Sequence, residues 1–272
     1  MTDGPLLVAD GLRKSYSLPG RGRLTAAEEV SFEVPRGGSL GIVGESGSGK
    51  TTVARMLVGL VRPDAGTVSV DGRPREARTP RRKAARLARA REIQMVFQDP
   101  YVSLDPRLTA DRCLRTALRL HGRDEDLAAD LLDRVGLGER EAAARPRQLS
   151  GGQRQRLAIA RALAPGPRVL VLDEAVAALD VSIQAQILRL LDEIRRDTGV
   201  ALVFVGHDLA VVQHITDDVL VMRQGRIVEQ GPTRQVLTDP AHPYTRLLLA
   251  AVPGEGWDPA TAVAARAAAL TS

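Results

Sequence analysis

The chain has 272 residues, of which 44% are apolar and 26% charged, the balance of an ordinary globular protein with enough length for a sizeable core. A single cysteine, Cys113, excludes an internal disulfide and any cysteine-rich zinc or iron–sulfur site, and it reads as a small buried apolar residue. No apolar run is long enough to cross a bilayer and Met1 to Asp10 lacks the pattern of a secretory leader, so a cytosolic protein that meets a membrane only through partners is expected.

Taken in chain order, residues 6–34 predict short strands with a turn at Pro19-Gly20, and residues 39–43 (S-L-G-I-V) predict a buried strand that runs into a glycine-rich loop. A helical pattern follows over 52–61, then a short strand at 66–70 closed by a turn at Asp71-Gly72. The densest basic run lies between Arg73 and Arg91. It fits either a solvated, partly helical excursion or a nucleic-acid surface, and a chain with 3% aromatics offers bases little to stack on, which favours the first and predicts no nucleic-acid partner. The net charge of +5 is almost wholly arginine, with lysine only at Lys14, Lys50 and Lys83, and reads as a compositional preference.

Residues 93–97 predict a strand ending at Gln98, and residues 100–148 are helical in pattern without a buried-strand signal. A helix is predicted over 153–163. Strands over 169–172 and 200–205 end at Asp173-Glu174 and, after Gly206, at His207. Residues 216–230 predict a strand pair turned at Gln224-Gly225; beyond Gly231 come five prolines and an alanine-rich end at 260–270, read as an appended tail with some helix. Near-continuous Val/Leu/Ile runs are the mark of strands buried on both faces, as in a parallel α/β sheet. Ligands bind such sheets at the carboxyl ends of the strands, so four distinctive polar segments at four strand ends predict one site.

Gly44-Glu45-Ser46-Gly47-Ser48-Gly49-Lys50-Thr51 fits the phosphate-binding pattern G-x-x-x-x-G-K-[ST] in full, after a strand and before a helix. Its glycines let backbone N–H groups turn toward phosphates, Lys50 reaches the β- and γ-phosphates, and the Thr51 hydroxyl ligates Mg²⁺; Thr52 extends the set into the helix, whose positive end adds to it. Asp173 closes an apolar strand, where a carboxylate can hold Mg²⁺, and Glu174 next to it can orient and deprotonate a water. A second anion site is predicted at Leu149-Ser150-Gly151-Gly152-Gln153. There Ser150 is a good N-cap, Gln153 completes a capping box, and two glycines expose backbone N–H groups.

That L-S-G-G-Q string resembles the signature of the ABC ATPase family, and the likeness extends over nearly the whole chain. It implies an α/β fold of the P-loop NTPase type: a mostly parallel sheet with flanking helices, an antiparallel β subdomain and a helical subdomain at about 100–155, together spanning 1–232. It implies ATP and Mg²⁺ as ligands, and two subunits head to tail, so that Ser150, Gly151, Gly152 and Gln153 meet the γ-phosphate on a partner's loop. By the same likeness Asp180, in the D-loop-like Ala178-Leu179-Asp180, crosses the dimer interface. Gln98 is placed as a Mg²⁺ and water contact, His207 as the γ-phosphate switch residue, and Tyr16 as an adenine-stacking ring. Taken alone, Gln98 and His207 fit structural polar positions, and Tyr16 fits a core aromatic. Ala177 and Gly206 depart from the serines common in relatives, which bears on rate and coupling rather than on the reaction.

Residues 97–107 (F-Q-D-P-Y-V-S-L-D-P-R), 180–188 and the tail with Asp239-Pro240-Ala241-His242-Pro243-Tyr244-Thr245 resemble oligopeptide, dipeptide and nickel importers, which makes 233–272 a C-terminal extension of that group. Some members carry a cysteine cluster near the C-terminus; here there is none, so no iron–sulfur centre is expected. The resemblance implies transmembrane permease partners, a second ATPase identical or sister to this one, an indirect link to a substrate-binding protein, and a peripheral place at the cytoplasmic face of the inner membrane. The competing reading is the same motor in another machine, a carbon–phosphorus lyase-like assembly or a soluble ABC ATPase.

Overall fold

In the computed structural model, which describes residues 4–18, 20, 22–75 and 81–251, the chain opens with two long antiparallel strands, β1 (Leu7–Leu18) and β2 (Gly22–Val34). They are 12 and 13 residues long rather than short, because irregularities near Ala9–Lys14 bend the ladder without ending it. At the end of β2 Val30, Phe32 and Val34 are buried while Ser31 and Glu33 are exposed, the alternation of a sheet with one wet face. After β3 (Ser39–Val43) and α1 (Lys50–Val58), β4 (Ala65–Val70) and β5 (Arg73–Arg75) complete an antiparallel sheet of order β2-β1-β4-β5. The turn between β4 and β5 has Asp71 and Gly72 at φ 57° and 70°, as a tight hairpin requires. Helix α1 starts two residues earlier than the sequence pattern suggests and stops at Gly59 in a left-handed cap.

The basic run divides between β5 and α2 (Lys83–Glu92), with residues 76–80 outside the described part. Some of its arginines work inside the protein. Arg75, with a side chain only 3% exposed, donates to the carbonyls of Leu57 and Arg89 and pairs with Glu92 at 2.9 Å. Burial pulls its pKa down to about 10, which leaves it charged at neutral pH. Arg91 donates to the carbonyl of His121.

Next comes β6 (Ile93–Val96), and then a region with no strand among the described residues: α3 (Ala110–Leu120), α4 (Leu127–Arg134), α5 (Glu139–Ala143) and two 3₁₀ turns, Pro100–Val102 and Pro146–Gln148. In α3 the buried residues Ala110, Cys113, Leu114 and Leu118 recur at helical spacing, and burial pushes the Cys113 thiol pKa up. The rest alternates: α6 (Gly151–Leu163), β7 (Val169–Asp173), α7 (Val181–Thr198), β8 (Ala201–Val205), α8 (Leu209–Ile215), β9 (Asp218–Arg223), β10 (Arg226–Pro232), α9 (Thr233–Thr238) and α10 (Pro243–Ala250). Gln224 and Gly225 turn β9 into β10 at φ 50° and 84°. Pro19, Pro253, Pro259 and the alanine-rich end lie outside the described residues.

The second sheet has the order β10-β9-β3-β8-β7-β6, parallel throughout except for β10. Every residue of β3, β7 and β8 is buried, because both faces are covered. The strand period of two still sorts their side chains. Leu40, Ile42, Val169, Val171, Val203 and Val205 join the core shared with α1 and the antiparallel sheet, while Val43, Leu170, Leu172, Leu202 and Phe204 join the core of the helical side. Gly41 faces the helical side at the point where α8 crosses; a Cβ there would lie 2.5 Å from Val212 Cγ1 and 3.3 Å from both Thr216 Oγ1 and Val219 Cγ2. Gly41→Ala should therefore cost about 1–3 kcal/mol by overpacking. Urea denaturation measures this, and a loss confined to a few tenths would show that α8 moves aside freely.

Candidate nucleotide site at the strand ends

Parallel pairing sets the site. Ile42 is level with Val205 of β8 and Leu220 of β9, and Asp173 is level with Val205, so Gly44, Asp173 and Gly206 follow side by side at one edge of the sheet. The glycine-rich loop closes over this edge. Gly49 adopts φ 105°, and a Cβ there would lie 1.9 Å from the carbonyl oxygen of Ala26, so only glycine fits between α1 and β2. Helix α1 begins at Lys50 with no acidic residue in its first turn, which leaves its N–H groups and positive end unneutralised.

Lys50 is only 5% exposed and folds back into the loop. Its Nζ donates to the carbonyls of Gly44 and Glu45, each at 2.8 Å, and reaches Ser48 Oγ at 3.4 Å. Burial lowers its pKa, against the opposing pull of Glu174, Asp173 and Glu45. At the end of β7, Asp173 is buried and accepts a hydrogen bond from Thr51 Oγ1 at 3.2 Å. Its pKa is raised by burial, with the Thr51 hydroxyl and Arg55 opposing. The site thus holds a buried amine and a buried carboxyl, each hydrogen-bonded to neutral groups, and burial disfavours the charged form of both. Oxygen donors on Thr51 and Asp173 suit a hard cation such as Mg²⁺, which takes one or two protein oxygens and completes its shell with phosphate and water.

Glu174 follows in a left-handed backbone, φ 48°, a conformation that costs a non-glycine residue about 1 kcal/mol or more. The hydrogen bond from its N–H to Val205 O, 2.8 Å, holds it there. Its carboxylate lies 3.5 Å from His207 Nδ1, and the imidazole is 61% exposed. Gly206 leads into His207; a Cβ on it would lie 3.2 Å from the Phe204 ring, a tight contact. Gln98 stands exposed just past β6, the neighbour of the strand that carries Asp173. Ala177 is exposed on the turn after Glu174. Tyr16 is 36% exposed on β1 with Lys14 Nζ 5.7 Å from its ring centre, so the core-aromatic reading does not hold.

Ser150 through Gln153 form the expected helix start. Ser150 Oγ accepts from Gln153 N at 3.2 Å, and Gln153 Oε1 accepts from Ser150 N at 2.9 Å. The segment packs on the start of α7, where a Cβ on Gly152 would lie 2.7 Å from Ile183 and one on Gly151 3.6 Å from Leu179. Among the described residues no hydrogen bond joins it to its own phosphate loop. Asp180 has a local task that the family resemblance does not show: it caps α7, accepting from Ile183 N at 2.9 Å and Ser182 Oγ at 2.7 Å, and the N–H of Ile183 leads in holding its pKa low.

Around the loop stand two residues known from the sequence only as part of a turn and of a family-marking tail, which assigns them no role at the site. Gly225 N donates to Ser48 O at 2.9 Å, and Tyr244 of α10 accepts from Glu45 N at 3.2 Å. The sequence signal at Tyr244 is only its place after His242-Pro243, at the start of a helix.

Comparison with known proteins agrees with this geometry. Residues 27–177 match the family model described as ABC transporter, and residues 228–268 match that of the oligopeptide/dipeptide transporter C-terminal region. The chain is 50% identical over 233 residues to the "Probable peptide ABC transporter ATP-binding protein y4tS" of Sinorhizobium fredii, covering 84% of this chain and 65% of that one. It is equally similar, at 50% over 233 residues, to the "Glutathione import ATP-binding protein GsiA" of Escherichia coli K12, of which it spans 37%. The chain is thus shorter than the curated relatives it matches, about two thirds of one and just over a third of the other. Among solved structures it resembles the ATP-binding cassette MJ0796, a dimer in a post-hydrolysis state bound to ADP and Pi, with TM-score 0.74, 29% identity and coverage of 84% of this chain and 99% of that one. It also resembles cbiO1 of Clostridium perfringens, part of the ABC transporter complex cbiONQ, with TM-score 0.76, 27% identity and coverage of 87% and 92%. Strand order, phosphate loop, signature helix and family match agree, and the chain belongs to the ABC transporter family.

Proposed function

We propose that the chain is an ATP-hydrolysing motor subunit of a membrane importer for oligopeptides, dipeptides or a related small solute. The observation that carries this is the meeting, at adjacent strand ends, of the Lys50–Thr51 loop, Asp173 and the Glu174–His207 pair. In this reading residues 44–52 wrap the phosphates of ATP, and Tyr16 offers its exposed ring to adenine. Lys50 Nζ, bound to loop carbonyls here, turns to the β- and γ-phosphates. Mg²⁺, held through Thr51, Asp173 and Gln98, neutralises phosphate charge when bound. Glu174 takes a proton from water as the water oxygen attacks the γ-phosphorus; the bond to the β–γ bridging oxygen breaks, and ADP leaves with that oxygen. His207, beside Glu174, holds the γ-phosphate oxygens in line.

A loop on one face and a capped helix start with free N–H groups elsewhere make half of two sites rather than all of one. We infer a head-to-tail dimer, with an identical or a sister ATPase, in which Ser150, Gly151, Gly152 and Gln153 close on the partner's nucleotide and Asp180 lies at the seam. Residues 1–232 then form the ATPase domain and 233–272 a C-terminal extension. Among the described residues no helix is long and apolar enough to cross a membrane. In the proposed assembly the chain sits peripherally, at the cytoplasmic face of the inner membrane, on permease subunits served by a substrate-binding protein. Peptide-type import is supported by the two-part family match and by the names of the relatives.

Three outcomes test this. Glu174→Gln should cut phosphate release by at least about 10²-fold while MgATP binding persists; hydrolysis near wild type would remove Glu174 from the chemistry. Lys50→Ala and Ser150→Arg should each be inactive alone. Mixed, they should recover part of the activity if the chain pairs with itself, because one of the two shared sites then has both halves intact; no recovery would point to a sister subunit. Tagged Glu174→Gln, purified from its native cells in detergent with ATP, should bring down multi-span membrane chains, and a soluble complex without them would overturn the importer reading.

A further inference from the structure

The tail segment that ends in α10 reaches the phosphate loop itself. Tyr244 is 2% exposed, and its hydroxyl accepts the N–H of Glu45 at 3.2 Å. Its position is set from three sides. The Arg223 guanidinium lies 5.0 Å from the ring centre. His242 Nδ1 accepts the Tyr244 N–H at 3.1 Å, capping the helix that carries the ring. Upstream, the Glu229 carboxylate accepts the N–H groups of Ala241 and His242 at 2.7 and 3.1 Å, fixing where the segment leaves the sheet.

The loop end of this contact explains what it is for. Glu45 is held by its carbonyl from within, through Lys50 Nζ at 2.8 Å and Ser48 N at 3.1 Å, and by its N–H from outside, through Tyr244. On the reading given under Proposed function, Lys50 must release that carbonyl to reach a polyphosphate. The outer grip then remains on the first half of the loop, where Glu45, Ser46 and Gly47 are exposed. We infer that Tyr244 is a positioning residue for nucleotide binding: the C-terminal segment clamps the phosphate loop in its open, phosphate-ready shape through one hydroxyl. The clamp acts on the loop's shape and touches no reacting atom, so its loss should appear in affinity before turnover.

The test compares the full chain with Tyr244→Phe, which keeps the ring and its contact with Arg223 and deletes only the acceptor. Affinities for MgADP and MgATP are read by titration calorimetry, and melting temperatures are read without nucleotide. A single neutral hydrogen bond predicts a Kd and KM about three- to tenfold higher, with kcat changed less than KM. Glu229→Gln leaves the hydroxyl in place and weakens the anchor upstream; it should shift affinity in the same direction by a smaller factor. It also decides the matter should the Phe variant be poorly folded. Wild-type affinity in both variants would reduce α10 to a packing element and overturn the inference. A wild-type chain that binds neither nucleotide would instead overturn the nucleotide reading on which the inference rests.

Discussion

The parallel pairing of β8 with β3 on one side and β7 on the other is the constraint on which the rest depends. It brings the ends of three strands level, so that the loop after Val43, the carboxylates after Leu172 and the histidine after Val205 emerge at one edge. A parallel ladder requires crossover connections, and the helices that make them cover both faces. That covering is why β3, β7 and β8 are buried along their whole length, and why their only polar residues, Ser39 and Asp173, stand at strand ends.

At that edge the electrostatics are poised rather than satisfied. Burial disfavours charge on both Lys50 and Asp173, and their hydrogen-bond partners are neutral: two loop carbonyls and the hydroxyls of Ser48 and Thr51. Buried charges are stable only when paired. On the proposed function, a polyphosphate with its divalent cation would supply a negative group to Lys50 and a positive one to Asp173, so binding would relieve a cost the protein alone bears. The left-handed turn at Glu174 is a second such cost, in a residue whose carboxylate lies 3.5 Å from His207 Nδ1.

The phosphate loop is also held from behind by parts of the chain distant in sequence. Ala26 of β2 fills the space beside Gly49, the β9–β10 turn donates to Ser48, and Tyr244 accepts from Glu45. The antiparallel sheet, the closing hairpin and the tail therefore all bear on one eight-residue loop. Arg75, read from sequence as part of a basic run, belongs to the same category of long-range support: its guanidinium ties α1 to α2.

Most of the fold class, and the segments whose polar groups meet at the strand ends, were legible in the sequence, because each strong signal was local. A buried strand is a contiguous apolar run, a phosphate loop is a contiguous glycine-rich segment ending in Lys50-Thr51, and the capping box at Ser150 spans four residues. What stayed hidden was whatever depends on residues far apart meeting in space. Strand lengths in β1 and β2 were underestimated, since a bulge breaks the pattern locally while the ladder with distant partners continues. Tyr16 could be a core ring or an exposed one until the sheet placed it at the surface. Asp180 reads as an interface residue by resemblance, yet its cap on α7 is visible only once the backbone N–H of Ile183 is in place. Tyr244 had no assignable chemistry, because 199 residues separate it from the N–H it accepts. The sequence by itself determined the kinds of element and the chemical groups at their ends, since these follow from spacing along one strand or helix. Only the tertiary structure decided which of those groups share a site and which distant residues contact the phosphate loop, because register and close packing are properties of several segments at once.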